Sequence, residues 1–264
     1  MTDILSQVFK NKSKKLITFV TGGDPDIKTS NQIISRLIDS KVDIIEIGMP
    51  FSDPMADGPT IQLSSSRALE NDTNLDDIFK LVLNAKSLNS KLPIILMGYY
   101  NVILHYGIKE FVKNCKNYGV DGLIIVDLQP EEDEDLIIEL KKNNINLIRL
   151  ITPTTDENRL KLILNNASGF LYYVSVMGTT GQKSADINEL EKSIRFIKKH
   201  TNLPVIPGFG IKNAEDVNNI CQIADGAVVG SSIIKIIEEN LNDKDIMLKK
   251  IDIFTKKLKQ GTII

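Results

Sequence analysis

The sequence predicts a (β/α)₈ barrel, the TIM-barrel α/β fold, as a single domain over residues 1–264 with an extra N-terminal helix. Short apolar segments alternate with amphipathic segments along the chain, and this order requires parallel strands joined by crossover helices. A length of 264 residues suits one such barrel. The competing architecture is an open, doubly wound sheet with an insertion, but no Gly-x-Gly-x-x-Gly motif follows the first strand. The closed barrel is therefore the prediction.

Apolar periodicity places the elements in order. The first predicted helix is short and is expected to plug the bottom of the barrel. Ile33, Ile34 and Leu37 recur on one helical face, as expected for a helix that covers a sheet. The predicted helices in the first third of the chain occupy residues 4–9, 27–39, 60–69 and 75–88. The predicted strands occupy residues 16–20, 42–48, 93–97, 122–126, 146–151, 170–174, 204–207 and 226–229.

Composition excludes several functional classes. A net charge of -2 gives no reason to expect binding to nucleic acid or to an anionic membrane. No apolar run reaches membrane-spanning length, and the N-terminus lacks a signal-peptide pattern. Cys115 and Cys221 lie far apart in the sequence, so we expect two buried thiols. These features predict a soluble intracellular protein, in the cytoplasm or, if plastid-encoded, in the plastid stroma.

Two carboxylates stand out as candidate catalytic groups. Glu46 interrupts the apolar run of the second predicted strand, where an unpaired carboxylate would be costly to bury. Asp57 follows on a loop whose prolines and glycines restrict its path. Two carboxylates placed in this way suit proton transfer on one substrate. The structural alternative is that Glu46 forms a salt bridge and that Asp57 caps the next helix.

Glycine-rich strand ends in the second half of the chain predict a phosphate site. Glycines let backbone N–H groups approach an anion, and a helix after the eighth strand would direct its positive end there. In a barrel of this type, the loops after the late strands converge at the C-terminal face. The alternative is that these glycines only form tight turns. The candidate phosphate-binding residues are Gly181, Gly210, Gly230 and Ser231.

The strand ends between these two groups predict an apolar pocket. Such a pocket suits a flat hydrophobic ligand with a phosphorylated tail. Its candidate lining residues are Phe19, Met97, Ile124, Leu150, Tyr172, Thr180 and Phe209. His105 and His200 are placed in a loop and near a helix end, and no cluster of ligand side chains predicts a metal site. We therefore expect acid–base chemistry without a metal or a cofactor.

One segment closely resembles a known family. Residues Pro50 to Gln62 read Pro-Phe-Ser-Asp-Pro-x-Ala-Asp-Gly-Pro-x-Ile-Gln, which is similar to the signature of tryptophan synthase α subunits. The resemblance covers essentially the whole chain. Other similar landmarks are Gly22-x-Asp24-Pro25, Tyr100-Asn101, Asp127-Leu128, Thr152-Pro153-Thr154, Gly208-Phe209-Gly210 and Gly230-Ser231.

The resemblance implies an activity and roles for the two carboxylates. The family cleaves indole-3-glycerol phosphate to indole and glyceraldehyde 3-phosphate on a (β/α)₈ barrel. Glu46 and Asp57 match the family's catalytic glutamate and aspartate, and Thr180 lies on the loop that closes over the ligand. The resemblance also implies a β subunit that uses pyridoxal phosphate, in an α₂β₂ assembly, with the loop from Phe51 to Pro59 as the docking segment.

Three departures from the family pattern and three alternative functions stay open. The family usually has proline at the positions of Val102 and Gln129 and valine at Thr179, which leaves loop stiffness and partner contact in doubt. One alternative is a different phosphosugar enzyme on the same barrel, such as an isomerase or a cyclase. The other is a barrel without catalytic activity that only activates its partner. Independent action without a β subunit is a further alternative.

Overall fold

The computed structural model of the chain describes residues 3–174, 183–208 and 210–263. The strands are β1 (Lys15–Thr21), β2 (Ile44–Gly48), β3 (Ile94–Gly98), β4 (Gly122–Ile125), β5 (Asn146–Leu147), β6 (Arg149–Ile151), β7 (Leu171–Val174), β8 (Val205–Gly208) and β9 (Gly226–Val229). The helices are α1 (Ile4–Val8), α2 (Ile27–Asp39), α3 (Pro59–Glu70), α4 (Leu75–Leu88), α5 (Tyr100–Tyr106), α6 (Ile108–Tyr118), α7 (Glu134–Asn143), α8 (Glu157–Leu164), α9 (Lys183–Lys198), α10 (Ala214–Ile223), α11 (Ser231–Glu238) and α12 (Lys244–Gln260).

The strands form one parallel sheet in the order β5-β4-β3-β2-β1-β9-β8-β7-β6. The two edges of this sheet, β5 and β6, are consecutive pieces of the chain separated only by Ile148. The Ile148 N–H donates to the Leu123 carbonyl at 2.9 Å on the β4 side, while β6 pairs with β7. The sheet therefore closes on itself, which confirms the predicted (β/α)₈ barrel.

Successive side chains of each strand point to opposite faces of the sheet, which divides the core into two parts. Residues on the outer face pack against the helices, as Ile45 and Ile47 of β2 do. Residues on the inner face meet inside the barrel, where α1 closes the bottom through Leu5. The inner cluster comprises Leu5, Ile17, Ile44, Ile95, Ile124, Ile148, Phe170, Ile206 and Val228.

The predicted elements agree with the observed ones except in a few places. The predicted strand at 146–151 is divided at Ile148, because its first part pairs with β4 and its second with β7. β2 begins at Ile44, since Asp43 instead accepts hydrogen bonds from the Leu16 N–H and the Lys259 ammonium. His105, placed in a loop by the sequence analysis, lies within α5.

Among the described helices, none has both the length and the hydropathy that crossing a lipid bilayer would require.

Candidate active site

The inward-facing positions one step above the inner cluster form the next layer of the barrel interior. Each lies two residues beyond a member of the inner cluster, because side chains alternate between the two faces of a strand. Most are apolar, two are glycine, and one is a glutamate. These positions are Phe19, Glu46, Met97, Val126, Leu150, Tyr172, Gly208 and Gly230.

Glu46 is the charged exception in this ring. It faces inward two residues beyond Ile44, between Phe19 of β1 and Ile95 of β3 in the strand register. Its side chain is fully buried, and neither carboxylate oxygen has a hydrogen-bond partner among the described residues. Burial raises the pKa of the Glu46 carboxyl from 4.5 to about 8. No described side chain forms the salt bridge of the structural alternative, and burial leaves the carboxyl largely protonated at neutral pH.

This burial predicts a pH-dependent stability. Between pH 4.5 and about 8, the Glu46 carboxyl stays protonated in the folded chain and is ionised in the unfolded chain. The unfolded state binds fewer protons in this range, so the contribution of Glu46 to the free energy of unfolding falls as pH rises, by about 1.4 kcal/mol per pH unit. Glu46→Gln removes this dependence. Relative to the wild type, the variant should become progressively more stable towards pH 8.

Urea unfolding of both proteins across this pH range measures the effect. Glu132→Gln is the control, because Glu132 is exposed and its replacement should leave the slope of stability against pH unchanged. Parallel curves for the wild type and Glu46→Gln would show that the Glu46 carboxyl is ionised in the folded protein.

Asp57 is held by Tyr99, the residue that follows β3. The Tyr99 hydroxyl donates to Asp57 Oδ2 at 3.0 Å and accepts from the Ala56 N–H at 2.9 Å. Tyr99 itself is nearly fully buried and its ring packs against Phe51, with 5.1 Å between the ring centroids. α3 is capped by Gly58 without a side-chain hydrogen bond. Asp57 is therefore not a helix cap, and the Tyr99 hydroxyl orients its carboxylate instead.

The two carboxylates act on one common neighbour, Tyr172. Burial raises the pKa of the Tyr172 hydroxyl, and the charges of Glu46 and Asp57 raise it further. Burial likewise raises the pKa of Asp57, while the hydrogen bond from Tyr99 opposes that shift. Both carboxylates therefore lie close enough to the Tyr172 hydroxyl for their ionised forms to raise its pKa.

A cavity of about 140 Å³ lies beside this tyrosine. Its wall is apolar near Phe19 and Met97 and consists mainly of backbone near Gly210 and Gly230. A Cβ on Gly230 would lie 3.1 Å from Phe19 Cβ, and one on Gly208 would clash with the Tyr172 hydroxyl. The lining residues are Phe19, Ile61, Met97, Tyr172, Gly208, Gly210, Ile211, Val228, Gly230 and Ser231.

The glycine side of the cavity is also the N-terminus of a helix. α11 begins at Ser231, with Gly230 as its N-cap and no side-chain cap. The N–H groups of Ile233 and Ile234 both donate to the Gly230 carbonyl, at 2.8 and 3.1 Å. The preceding N–H groups, of Ser231 and Ser232, belong to the unpaired first turn, where the helix dipole favours an anion. This end of the cavity therefore suits a phosphate group.

The structure brings together part of the predicted pocket. Phe19, Met97, Tyr172, Gly210, Gly230 and Ser231 line the same cavity. Ile124 lies one layer deeper, in the inner cluster, and Leu150 borders a separate cavity of about 380 Å³. Thr180, Gly181 and Phe209 lie outside the described residues.

Sequence reasoning assigned no individual role to five residues that the structure places at the site, which are Tyr99, Ile61, Gly208, Ile211 and Val228. Tyr99 follows β3, and its hydrogen bond to Asp57 joins residues 42 positions apart. Local sequence patterns therefore do not predict this bond. Ile61 reaches the cavity from α3, and Gly208 provides room for Tyr172. The only sequence signal for Gly208 was its place in the Gly208-x-Gly210 pair.

Comparison with known proteins identifies the family. A family model described as "Tryptophan synthase alpha chain" matches residues 5–263. The chain belongs to the tryptophan synthase alpha chain family. A curated relative of that name from Petrotoga mobilis is 48% identical over 97% of this chain and 98% of its own length.

Solved structures agree with this assignment. The tryptophan synthase alpha subunit from Legionella pneumophila superposes with a TM-score of 0.92 at 32% identity, covering 99% of each chain. An aminoacrylate-bound tryptophan synthase from M. tuberculosis gives a TM-score of 0.88 at 28% identity, covering 99% of this chain and all of that one.

Family membership confirms the predicted activity. The chain is a carbon–carbon lyase of tryptophan biosynthesis, and the reaction of tryptophan synthase alpha chains is the retro-aldol cleavage of indole-3-glycerol phosphate. The family match favours this reaction over the alternative of a phosphosugar isomerase or cyclase.

Proposed function

We propose that Glu46 and Asp57 together perform the cleavage of indole-3-glycerol phosphate in this chain. The observation that carries the proposal is the fully buried Glu46 carboxyl, which lacks a hydrogen-bond partner among the described residues. An unsatisfied buried carboxyl is costly, and such groups are concentrated where a proton must be exchanged with a ligand.

Glu46 is proposed to carry one proton between two atoms of the substrate. Its protonated carboxyl delivers a proton to C3 of the indole ring, which makes the bond from C3 to the glycerol chain breakable. As that bond breaks, the hydroxyl on the adjacent chain carbon becomes an aldehyde and releases a proton. The Glu46 carboxylate accepts that proton and is restored, so no cofactor is consumed or required.

Asp57 is proposed to stabilise the charge that this protonation creates. A proton on C3 interrupts the aromaticity of the indole ring and leaves positive charge on the ring nitrogen. An ionised Asp57 that accepts a hydrogen bond from the indole N–H opposes this charge where it develops. The hydrogen bond from Tyr99 helps keep Asp57 ionised and oriented, since it lowers the pKa that burial would otherwise raise.

The cavity supports the orientation of the substrate. The ring lies against the apolar wall that includes Phe19, Met97 and Tyr172, and the phosphate meets the N-terminus of α11. The proposed phosphate contacts in the described residues are Gly210, Gly230 and Ser231, with Gly181 added by family resemblance. Thr180, Phe209, Ile124 and Leu150 stay predicted contacts.

Ser231→Asp tests the phosphate site. Aspartate is well accepted in the first turn of a helix, so the fold should be kept. Its negative charge would repel the phosphate, and KM for indole-3-glycerol phosphate should rise at least about tenfold. Ser231→Asn is the neutral control and should change KM much less. Equal KM values for the two variants in a steady-state indole-release assay would place the phosphate elsewhere.

We also propose a β subunit of tryptophan synthase as the partner, and the bacterial cytoplasm as the compartment. The family name denotes one chain of a larger enzyme, and the curated relatives are bacterial. The loop from Phe51 to Pro59 supports a docking role, because Met55 at its tip is 87% exposed. A neighbouring hollow of about 420 Å³, lined in part by Phe51 and Val102, continues this face.

Docking on this loop would act directly on the catalytic aspartate, since Asp57 lies within it. Addition of a tryptophan synthase β subunit is therefore expected to raise the rate of indole release by the purified chain several-fold, about 1 kcal/mol or more of coupling. The rate is measured across a titration of the β subunit. A rate that does not change at saturation would count against this partner, and the chain would then act alone.

A further inference from the structure

One face of α3 forms hydrogen bonds with the end of β1 and with the turn that follows it. Positions 64, 67 and 71 are spaced by three and four residues, so they share a face at the helix and its C-cap. Ser64 contacts the last residue of β1, and Arg67 and Asn71 contact the turn after it. We call Ser64, Arg67 and Asn71 the polar stripe. The three pairs are Ser64 Oγ with Thr21 Oγ1 at 2.5 Å, Arg67 with the Asp24 carboxylate, and Asn71 Nδ2 with the Pro25 carbonyl at 2.9 Å.

The pair of Arg67 and Asp24 is the centre of the stripe. Arg67 Nε donates to Asp24 Oδ1 at 2.7 Å and Arg67 Nη2 donates to Asp24 Oδ2 at 2.8 Å, a bidentate contact that fixes the plane of both groups. The Asp24 side chain is fully buried. Burial raises the pKa of Asp24 in spite of the arginine, and the nearby charge of Glu238 adds to this shift.

A buried ion pair of this kind contributes little net stability. Removing two charges from water costs several kcal/mol per ion, so a well-packed apolar pair of the same size is often as stable. What the bidentate contact does provide is a defined position and orientation of α3 relative to β1. A geometric role explains its presence better than a stabilising one.

The position of α3 matters because the placement of Asp57 and of part of the cavity wall depends on it. α3 begins at Pro59, two residues after Asp57, and Ile61 of its first turn lines the substrate cavity. Gln62 Nε2 donates to the Asp57 carbonyl at 2.9 Å, which couples the helix to the aspartate's own backbone. A movement of α3 on β1 would therefore move Asp57 relative to a ligand held at Ser231.

We propose that Arg67 is a positioning residue for Asp57, and that it acts by fixing α3 to the turn after β1 through Asp24. The inference rests on the proposed role of Asp57 in the cleavage. Arg67 touches neither the substrate nor the reacting atoms in this account, so its whole effect on the reaction passes through the placement of Asp57.

Arg67→Met removes the bidentate contact while keeping the apolar stem. We expect kcat per folded molecule to fall about tenfold to a hundredfold, because small displacements of catalytic groups have effects of this size. Arg67→Lys keeps the positive charge but cannot form the bidentate contact, so it should recover only part of the lost kcat. The folded fraction is measured by circular dichroism under the assay conditions.

Lys86→Met is the matched control. Lys86 Nζ forms a comparable buried ion pair with Asp121 Oδ2 at 2.6 Å, which joins α4 to the residue before β4, at the opposite end of the barrel from the site. Its loss should lower stability to a similar degree and leave kcat per folded molecule within about twofold of the wild type. A similar fall in kcat for Lys86→Met and Arg67→Met would overturn the inference.

A double-mutant cycle separates positioning from general structural damage. If Arg67 acts through Asp57, then Arg67→Met combined with Asp57→Asn should be no slower than Asp57→Asn alone, within about twofold. Additive losses would overturn the inference while leaving the role of Asp57 intact. If Asp57→Asn alone has no effect on kcat, the proposed function fails instead. Should Arg67→Met not fold, Arg67→Lys, which keeps a positive charge beside Asp24 but not the bidentate contact, replaces it in the same cycle.

Discussion

Glu46→Gln is expected to lower kcat for the cleavage of indole-3-glycerol phosphate by about 10²- to 10⁴-fold, the usual contribution of a general acid or base. The amide has nearly the same shape and fills the same fully buried position, but it cannot exchange the proton that the reaction moves. KM should change little, because Glu46 meets the substrate mainly in the transition state. Indole release by the purified variant measures the effect.

The pH dependence of the wild type gives this prediction a second readout. A proton donor whose pKa is about 8 is protonated below that pH and loses its proton above it, so kcat/KM should decline as pH rises through about 8. The residual activity of Glu46→Gln should lack this decline. Full indole release by Glu46→Gln would remove Glu46 from the proposed mechanism.

Asp57→Asn is expected to lower kcat by about 10²- to 10³-fold, the usual cost of removing one group that stabilises developing charge. The asparagine oxygen can still accept the Tyr99 hydroxyl, so the loop should keep its path while the negative charge is lost. The same steady-state assay of indole release measures the loss.

Asp53→Asn is the control on the same loop. Asp53 is exposed and contacts its neighbour Ser52, so its replacement should leave kcat of the chain alone, without a β subunit, unchanged. A loss of less than about threefold in kcat for Asp57→Asn would remove Asp57 from the proposed mechanism.

Local patterns were sufficient to predict much of this fold. α4 spans Leu75–Leu88 as predicted, because Asn74 and Asp77 form a capping box before an apolar stripe. α2 and β9 likewise have their predicted bounds. Glu46 could be found from the sequence because a carboxylate in an apolar strand contradicts the burial pattern around it, and such contradictions are typical of functional sites.

Features that depend on which distant residues meet in the fold could not be predicted from local sequence patterns. The alternation along β4 correctly indicates that Ile124 faces inward, but it does not give depth, and Ile124 lies in the layer below the cavity. The division of the predicted strand at Ile148 follows from which neighbours it pairs with. The bond between Tyr99 and Asp57 and the pair of Arg67 with Asp24 join residues about forty positions apart, beyond any local pattern.

The protonation state of Glu46 is the central claim, and infrared difference spectroscopy of the wild type against Glu46→Gln measures it directly. We predict a protonated carboxyl signal at about pH 6 that disappears with a midpoint near the pKa of about 8 that burial imposes. A Glu46 carboxyl already ionised at about pH 6 would contradict its role as the proton donor.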